Sequence, residues 1–126
     1  MAGKTILVVD DDENLVRALS IRLKAAGYDV VAAMDGMQAV MMTHRRDPDL
    51  LILDIRMPGG SGITVMDKLQ GSIKTRRIPV IVASAFDDDE TKQKVQELGA
   101  FKFFRKPFET DDLLKAIEEA LEGSPD

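Results

Sequence analysis

The sequence predicts an α/β domain in which a parallel sheet carries helices on both faces. Five short runs of branched aliphatic residues alternate strictly with five segments of helical periodicity along the 126 residues. Parallel strands need crossover connections, and a helix after every strand supplies them. No repeat, low-complexity segment or linker interrupts the pattern. We therefore expect one domain over residues 1–126, with a core of about residues 4–122.

Five segments rich in Val, Ile, Leu and Phe are the predicted strands. In chain order they are Thr5–Val9, Tyr28–Ala33, a run from Leu51 that ends at Asp54, Ile78–Ala83 and Phe101–Arg105. Short aliphatic runs bounded by turn residues are typical of strands buried on both faces. Right-handed crossovers between five such strands favour a doubly wound sheet in the flavodoxin-like order 2-1-3-4-5.

The predicted helices are bounded by capping and turn residues and carry apolar residues at helical spacing. The bounding residues are Asp12, Gly27, Gly36, Asp47-Pro48, Ser61, Gly71, Asp87 with Glu90 as a capping box, Gly99 and Thr110. The predicted inward-facing residues are Leu15, Leu19 and Leu23; Val40 and Met41; Val65, Met66 and Leu69; Val95 and Leu98; and Leu113, Leu114, Ile117 and Leu121.

Composition narrows the class of protein. The chain is 44% hydrophobic and 31% charged, which is typical of a globular domain, and it has no cysteine. Its net charge of −5 argues against nucleic acid as a direct partner. The N-terminus shows no signal-peptide pattern, and no apolar run is long enough to cross a membrane. We expect a cytoplasmic protein without membrane or nucleic-acid partners.

Polar side chains follow four of the five predicted strands. They are Asp10 with Asp11, then Asp54, Ser84 and Lys106. Because the carboxyl ends of parallel strands meet at one edge of the sheet, these side chains should converge within a few ångströms. One lysine cannot neutralise three carboxylates, whereas Mg²⁺ prefers carboxylates, waters and a substrate phosphate. The sequence predicts a magnesium site at this edge, with Mn²⁺ as the alternative ion.

A carboxylate at such a site has a defined chemistry, because it can act as the nucleophile that forms an aspartyl-phosphate. The product carries about −1.5 to −2 charges. The metal, Lys106 and the hydroxyl of Ser84 are placed to hold that charge. The edge is therefore interpreted as an acceptor of phosphoryl groups, with Asp54 as the acceptor.

Four sequence motifs resemble those of a known protein family. They are Val-Val-Asp10-Asp11, Asp54-Ile-Arg-Met-Pro58 with Gly62, Ser84-Ala85, and Lys106-Pro107-Phe108. Together they are similar to the receiver domain of two-component response regulators, of the single-domain chemotaxis and sporulation-phosphorelay types. The resemblance covers essentially the whole chain and implies a single receiver domain. The chain stops after the last predicted helix, so we expect no output domain in it. It is either a stand-alone receiver or a fragment of a larger regulator.

The resemblance implies a role for each residue. Asp54 is the phosphoacceptor, and Mg²⁺ is held by Asp10, Asp11, Asp54 and the backbone carbonyl of Arg56. Ser84 and Lys106 bind phosphoryl oxygens, and the Lys106-Pro107 bond is cis. Ser84 and Phe103 form the switch, although Phe103 lacks the hydroxyl of the commoner tyrosine. The implied partners are a histidine kinase or histidine phosphotransfer protein and a target protein that binds the face of helix 4, strand 5 and helix 5.

The residues at the strand ends distinguish this function from three alternatives. A phosphohydrolase of the haloacid dehalogenase type needs a second acid two residues after the nucleophile, where this chain has Arg56. A flavin carrier needs a phosphate loop after strand one, where Asp10 and Asp11 would repel the phosphate. A receiver-like scaffold that binds partners without being phosphorylated remains an alternative function. His44 and the acidic run Asp87–Glu90 are interpreted as solvated surface groups. The chain is thus expected to be a phosphoacceptor that acts on no separate substrate.

Overall fold

The computed structural model describes residues 3–56, 62–85 and 88–122. Within them the chain forms five strands and five helices in strict alternation. The strands are β1 (Thr5–Val9), β2 (Asp29–Ala33), β3 (Leu50–Leu53), β4 (Val80–Ser84) and β5 (Lys102–Arg105). The helices are α1 (Glu13–Ala25), α2 (Gly36–Arg46), α3 (Gly62–Gln70), α4 (Asp89–Glu97) and α5 (Thr110–Glu122).

All four strand pairings are parallel, and the sheet order is β2-β1-β3-β4-β5. This is the flavodoxin-like order that the sequence predicts. β1 and β3 lie side by side at the centre of the sheet, with Val9 paired to Leu53. Their carboxyl ends therefore point to the same edge. Among the described residues, no helix is long and apolar enough to cross a membrane.

The sheet separates two apolar layers, because successive side chains of a strand point to opposite faces. Leu7, Leu51 and Val82 face one layer, which is completed by apolar residues of α2, α3 and α4. Ile6, Ile52 and Ile81 face the other layer, which is completed by α1 and α5. Three of the strands are buried over nearly their whole length, which explains their uninterrupted aliphatic sequences.

Several predicted boundaries shift by one or two residues. β4 begins at Val80 rather than at Ile78 and extends to Ser84, because Ile78 N–H donates to Thr75 O (3.0 Å) and closes the preceding turn. β2 and β5 each begin one residue later than predicted. The prediction that Met41 faces inward is wrong, since its side chain is 45% exposed. Ala39 and Thr43 are buried residues of α2 instead.

Asp12, Asp35 and Asp88 are the N-caps of α1, α2 and α4. Asp12 caps α1 by accepting hydrogen bonds from the backbone N–H groups of Asn14 (3.1 Å) and Leu15 (3.2 Å). The cap of α4 is Asp88, one residue later than the predicted capping box, and it accepts from the N–H and the hydroxyl of Thr91. Ser61 and Asp87, the other predicted caps, lie outside the described residues.

Candidate functional site

Two buried carboxylates lie side by side at the carboxyl edge of the sheet. Asp10 follows β1 and Asp54 follows β3, and they are 4% and 7% exposed. The ladder continues past the strands, because Asp54 N–H donates to Val9 O (2.9 Å) and Asp10 N–H donates to Ala33 O (3.1 Å). The parallel register that pairs Val9 with Leu53 thus sets the two acids next to each other.

Asp11 completes a group of three acids, and unlike the other two it is exposed. One carboxylate oxygen from each of Asp10, Asp11 and Asp54 lies within 4.8 Å of the others. Opposite ligands in an octahedral Mg²⁺ shell are separated by about 4.2 Å. Oxygen donors at this spacing, two buried and one reached from solvent, fit a hard divalent cation that keeps some of its waters.

Lys106 follows β5 and reaches the same place. Its backbone N–H donates to Ser84 O (2.9 Å), and the Lys106-Pro107 peptide bond is cis. Its Nζ donates to Asp10 Oδ2 at 2.6 Å and to Asp54 Oδ2 at 3.3 Å. Burial alone would lower the pKa of Lys106, but the hydrogen bond to Asp10 and the attraction of Asp54 together raise it above its ordinary value. Lys106 is therefore charged at neutral pH.

The surroundings of Asp54 act on its charge in opposite directions. Burial is the largest influence and raises the pKa of this carboxyl above its usual 3.8. The hydrogen bond from Arg56 N–H to Asp54 Oδ1 (3.2 Å) and the charge of Lys106 favour the ionised form, whereas the charge of Asp10 opposes it. The net effect on the pKa is an increase. The same burial leaves the carboxylate less hydrated, and a less hydrated carboxylate is a better nucleophile than one fully hydrated by water.

The acid group is also fixed by the backbone around it. Asp10 Oδ1 accepts from Asp12 N–H (3.0 Å) while its Oδ2 accepts from Lys106. Gly62, the first residue of α3, donates its N–H to Ile55 O (2.7 Å). A Cβ at position 62 would lie 2.5 Å from Asp54 O and 2.7 Å from Ile55 Cα. Only glycine lets the start of α3 approach the Asp54 backbone so closely.

Ser84 and Phe103 share one face of the sheet, and Ser84 ends β4 at the carboxyl edge where Asp10 and Asp54 lie. Strand alternation assigns Ser84 to the face that Val80 and Val82 share, and the residue is fully buried. Phe103 pairs with Val82 and packs against the same layer, so it is on the face of Ser84. Asp10, Asp54 and Lys106 are joined by direct contacts, whereas Ser84 is joined to them through the backbone of Lys106.

The remaining sequence-predicted residues are placed as follows. The side chain of Arg56 is exposed, and its N–H bonds to Asp54, so the metal-binding role of its carbonyl stays a prediction. His44 is exposed in the last turn of α2. Met57 and Pro58 of the second motif lie outside the described residues.

Two contacts were missed by sequence reasoning. The first is the contact of Lys106 with Asp10, which a sum of charges at the strand ends could have suggested. The binding of a phosphoryl group by Lys106 stays a prediction. Lys92 of α4 places its Nζ 5.8 Å from the centroid of the Phe103 ring, within the range of a cation–π contact. Neither the types of these two residues nor their spacing in the sequence predicts this second contact.

Comparison with known proteins identifies the class of protein that this site defines. The family model of the response regulator receiver domain matches residues 6–118. The chain therefore belongs to the receiver domains of two-component response regulators. Domains of this family are regulatory phosphoacceptors that histidine kinases phosphorylate.

Two curated relatives show how similar the chain is to named regulators. It is 44% identical over 109 residues to the response regulator PleD of Caulobacter vibrioides, covering 86% of this chain and 24% of PleD. It is 35% identical over 121 residues to the phosphate regulon transcriptional regulatory protein PhoB of Pseudomonas aeruginosa, covering 96% of this chain and 53% of PhoB. The chain thus spans about a quarter and about half of the lengths of these relatives.

Solved structures show the same architecture. The receiver domain of the Francisella response regulator 1452 matches with a TM-score of 0.90 and 26% identity, covering 98% of this chain and all of that one. The chemotaxis protein CheY4 of Vibrio cholerae matches with a TM-score of 0.88 and 28% identity, covering 95% of this chain and 100% of that one. Both are receiver proteins, in agreement with the family assignment.

Proposed function

We propose that this chain accepts a phosphoryl group on Asp54 from a phosphohistidine of a histidine kinase or phosphotransfer protein, in a reaction that needs Mg²⁺. The observation that carries the proposal is the contact of Lys106 Nζ with both Asp10 (2.6 Å) and Asp54 (3.3 Å), with an oxygen of Asp11 close by. The ends of three strands, β1, β3 and β5, thus bring three carboxylates and one ammonium group to one point. We further propose that the core at residues 4–122 acts as one phosphoacceptor domain, with protein partners and a cytoplasmic location.

The transfer forms one bond and breaks one. A carboxylate oxygen of Asp54 bonds to phosphorus while the P–N bond of the donor phosphohistidine breaks, and the released imidazole nitrogen takes a proton from solvent. Mg²⁺, held by Asp10, Asp11, Asp54 and the carbonyl of Arg56, would neutralise the charge of the transferred group.

Lys106 is the cation of this chain that binds the product. In the unphosphorylated state it is shared between two carboxylates, and its contact with Asp54 is the longer one. Phosphorylation of Asp54 adds negative charge and acceptor oxygens at the longer contact. The ammonium group would then shift from Asp10 towards the phosphoryl group, because charge-assisted hydrogen bonds to phosphate are strong.

The output would pass through Ser84 and Phe103 to the face of α4, β5 and α5. Both residues lie on the same side of the sheet, and Ser84 is directly linked to Lys106 through the backbone. We propose that the Ser84 hydroxyl binds a phosphoryl oxygen and that Phe103 moves with it. A change in population from 1:99 to 99:1 needs about 5.5 kcal/mol of differential interaction. A few charge-assisted hydrogen bonds supply much of this free energy.

The test is incubation of the purified chain with acetyl phosphate and Mg²⁺, followed by intact mass spectrometry. One added phosphoryl group is expected, and hydroxylamine should remove it because it is an acyl phosphate. Asp54→Ala and chelation of the metal should each abolish the adduct. Asp89→Asn, which alters an exposed acid at the start of α4, is the matched control and should be phosphorylated like the wild type.

Lys106→Ala separates uptake from output. This variant should still bind Mg²⁺, because the three carboxylates remain, but its partner affinity should no longer rise on phosphorylation. A normal gain in partner affinity in this variant would contradict the role of Lys106. A phosphoryl group that persists in Asp54→Ala would contradict the proposal as a whole.

A further inference from the structure

The surface between α2 and α3 contains an apolar groove that the phosphoacceptor site does not use. Its volume is about 310 Å³, and it is lined by Met37, Val40, Met41, Thr64, Val65 and Lys68. Met37 and Met41 are 76% and 45% exposed, although a surface helix would normally bury such side chains or replace them with polar ones. We call this feature the α2–α3 groove.

The groove is bounded by positive charge. Residues 36–46 and 62–78 contain six Lys or Arg residues and one carboxylate, Asp67, in a chain whose net charge is −5. α2 itself carries no acidic residue and ends in His44, Arg45 and Arg46. The cations of this stretch outnumber its carboxylates, although the two caps of α2, Asp35 and Asp47, are acidic.

The cations lie where they can reach an occupant of the groove. Met37, Met41 and Arg45 are spaced by four residues, so they follow one face of α2. Lys68 lines the opposite wall on α3, and Lys74 Nζ donates to His44 O (3.2 Å), which holds a further cation at the end of α2. Neither Arg45 nor Lys68 forms an ion pair with any residue that the structure describes.

We propose that the α2–α3 groove is a docking site for an acidic amphipathic helix of a partner protein. A groove between two helices accepts a third helix whose apolar residues recur at i, i+3, i+4 and i+7. Methionine side chains adapt to such apolar residues, and glutamates beside them would pair with Lys68 and Arg45. An anionic membrane would also attract the cations, but a concave groove fits a helix better than it fits a flat surface.

The test uses a fluorescein-labelled helical peptide with Leu at i, i+3, i+4 and i+7 and Glu at its remaining positions. A twin peptide carries Lys in place of every Glu. Fluorescence anisotropy with the full chain should show binding of the Glu peptide and no binding of the Lys peptide. NMR of ¹³C-labelled Met methyl groups should show changes at Met37 and Met41.

Variants of the groove give the sharper result. M37S/M41S and R45E/K68E should each weaken binding of the Glu peptide about tenfold or more, and R45E/K68E should gain affinity for the Lys peptide. The control I21S/K24E changes one exposed apolar residue and one cation on α1 and should bind like the wild type. Asp54→Ala should also bind normally, because the groove shares no residue with the phosphoacceptor site.

Four results would overturn the proposal. They are no binding of the Glu peptide, equal affinity for both peptides, binding that M37S/M41S leaves unchanged, and NMR changes that map to another face. Sedimentation that shows a dimer dissolved by M37S/M41S would assign the groove to a second copy instead. Binding to phosphatidylglycerol vesicles without binding of the peptide would assign it to a membrane.

Discussion

Two ion pairs of nearly equal length differ in almost every physical respect. Lys106 Nζ lies 2.6 Å from Asp10, whose side chain is 5% exposed, and Arg22 lies 2.7 Å from Asp111, whose side chain is 86% exposed. Water screens the second pair and solvates each partner when the contact breaks. The first pair has little water to replace the contact, so each partner depends on the other. Burial rather than distance separates a functional contact from a surface one.

The same contrast holds for the acidic residues. Asp88, Asp89 and Glu90 are exposed at the start of α4, where the helix dipole and the Asp88 cap account for them. Asp10 and Asp54 are buried at the ends of two neighbouring strands, and a third carboxylate lies close to both. Acidic composition is similar in the two places, but only the sheet edge forces carboxylates together.

The largest expected effect is on Mg²⁺ affinity. Asp11→Asn should weaken Mg²⁺ binding about 100-fold, or about 2.7 kcal/mol, because it removes the exposed carboxylate that completes the acidic group. Isothermal titration calorimetry measures this directly. Asp11 is exposed and caps no helix, so the variant should fold normally.

The matched control lies one residue away. Asp12→Asn keeps the cap of α1, because asparagine caps helices as well as aspartate does, and Asp12 is not one of the three clustered acids. Its Mg²⁺ affinity should change less than about twofold. An equal loss in both variants would show that general negative charge, rather than the cluster, attracts the ion.

The next effect concerns the backbone that supports Asp54. Gly62→Ala should lower the free energy of unfolding by about 1–3 kcal/mol, because its Cβ would meet Asp54 O and Ile55 Cα. Urea denaturation followed by circular dichroism gives the value. Gly71→Ala is the control, since its Cβ would meet nothing closer than 3.5 Å, and its stability should change by less than about 1 kcal/mol. Equal effects would mean that the close approach at Gly62 is not rigid.

The fold was predictable from sequence to a large extent, for a physical reason. Strands buried on both faces need continuous aliphatic runs, and parallel strands need a helix between them, so the alternation implied a parallel sheet. Right-handed crossovers between five such strands then favoured the order that is observed. Boundaries were less predictable, because a tertiary hydrogen bond can decide them. The Ile78 N–H bond to Thr75 O, which delays β4, has no local sequence signal.

The candidate site was predictable only as a set of residues. Strand ends identified Asp10, Asp11, Asp54, Ser84 and Lys106, because parallel topology brings such ends to one edge. Which atoms touch depends on side-chain packing between residues that are far apart in sequence. The preference of Lys106 for Asp10 over Asp54, and the contact of Lys92 with Phe103, could therefore be found only in three dimensions.

A smaller effect contrasts the pH dependence of two carboxyls. Burial raises the pKa of Asp54 in the folded protein above 3.8. The contribution of this group to the free energy of unfolding is therefore fully present below pH 3.8, and it is lost as pH rises through the raised pKa. Asp54→Asn should therefore be more stable than the wild type at pH 7. The difference should vanish below pH 3.8, as urea denaturation at several pH values would show.

Asp88 should behave in the opposite way. Its hydrogen bonds with Thr91 lower the pKa of Asp88 below 3.8, so its contribution is present above that pH and is lost as pH falls through the lowered pKa. Asp88→Asn should remove this part of the acid sensitivity. A loss of stability at neutral pH in Asp54→Asn would contradict the view that burial dominates at Asp54.

The smallest effect is expected at the exposed ion pair. Arg22→Gln should lower the free energy of unfolding by about 0.5 kcal/mol or less, and the effect should shrink further at about 1 M salt. Asp111 also lies in the first turn of α5, where a negative charge is favoured, so Asp111→Asn alone would mix two causes. The double variant of Arg22 and Asp111 separates the two causes, because the coupling free energy from the double-mutant cycle contains only the contact with Arg22.

A coupling free energy above about 1 kcal/mol, unchanged by salt, would mean that an exposed pair at 2.7 Å behaves like the buried Lys106–Asp10 pair. Burial would then no longer explain why one of the two pairs belongs to a functional site.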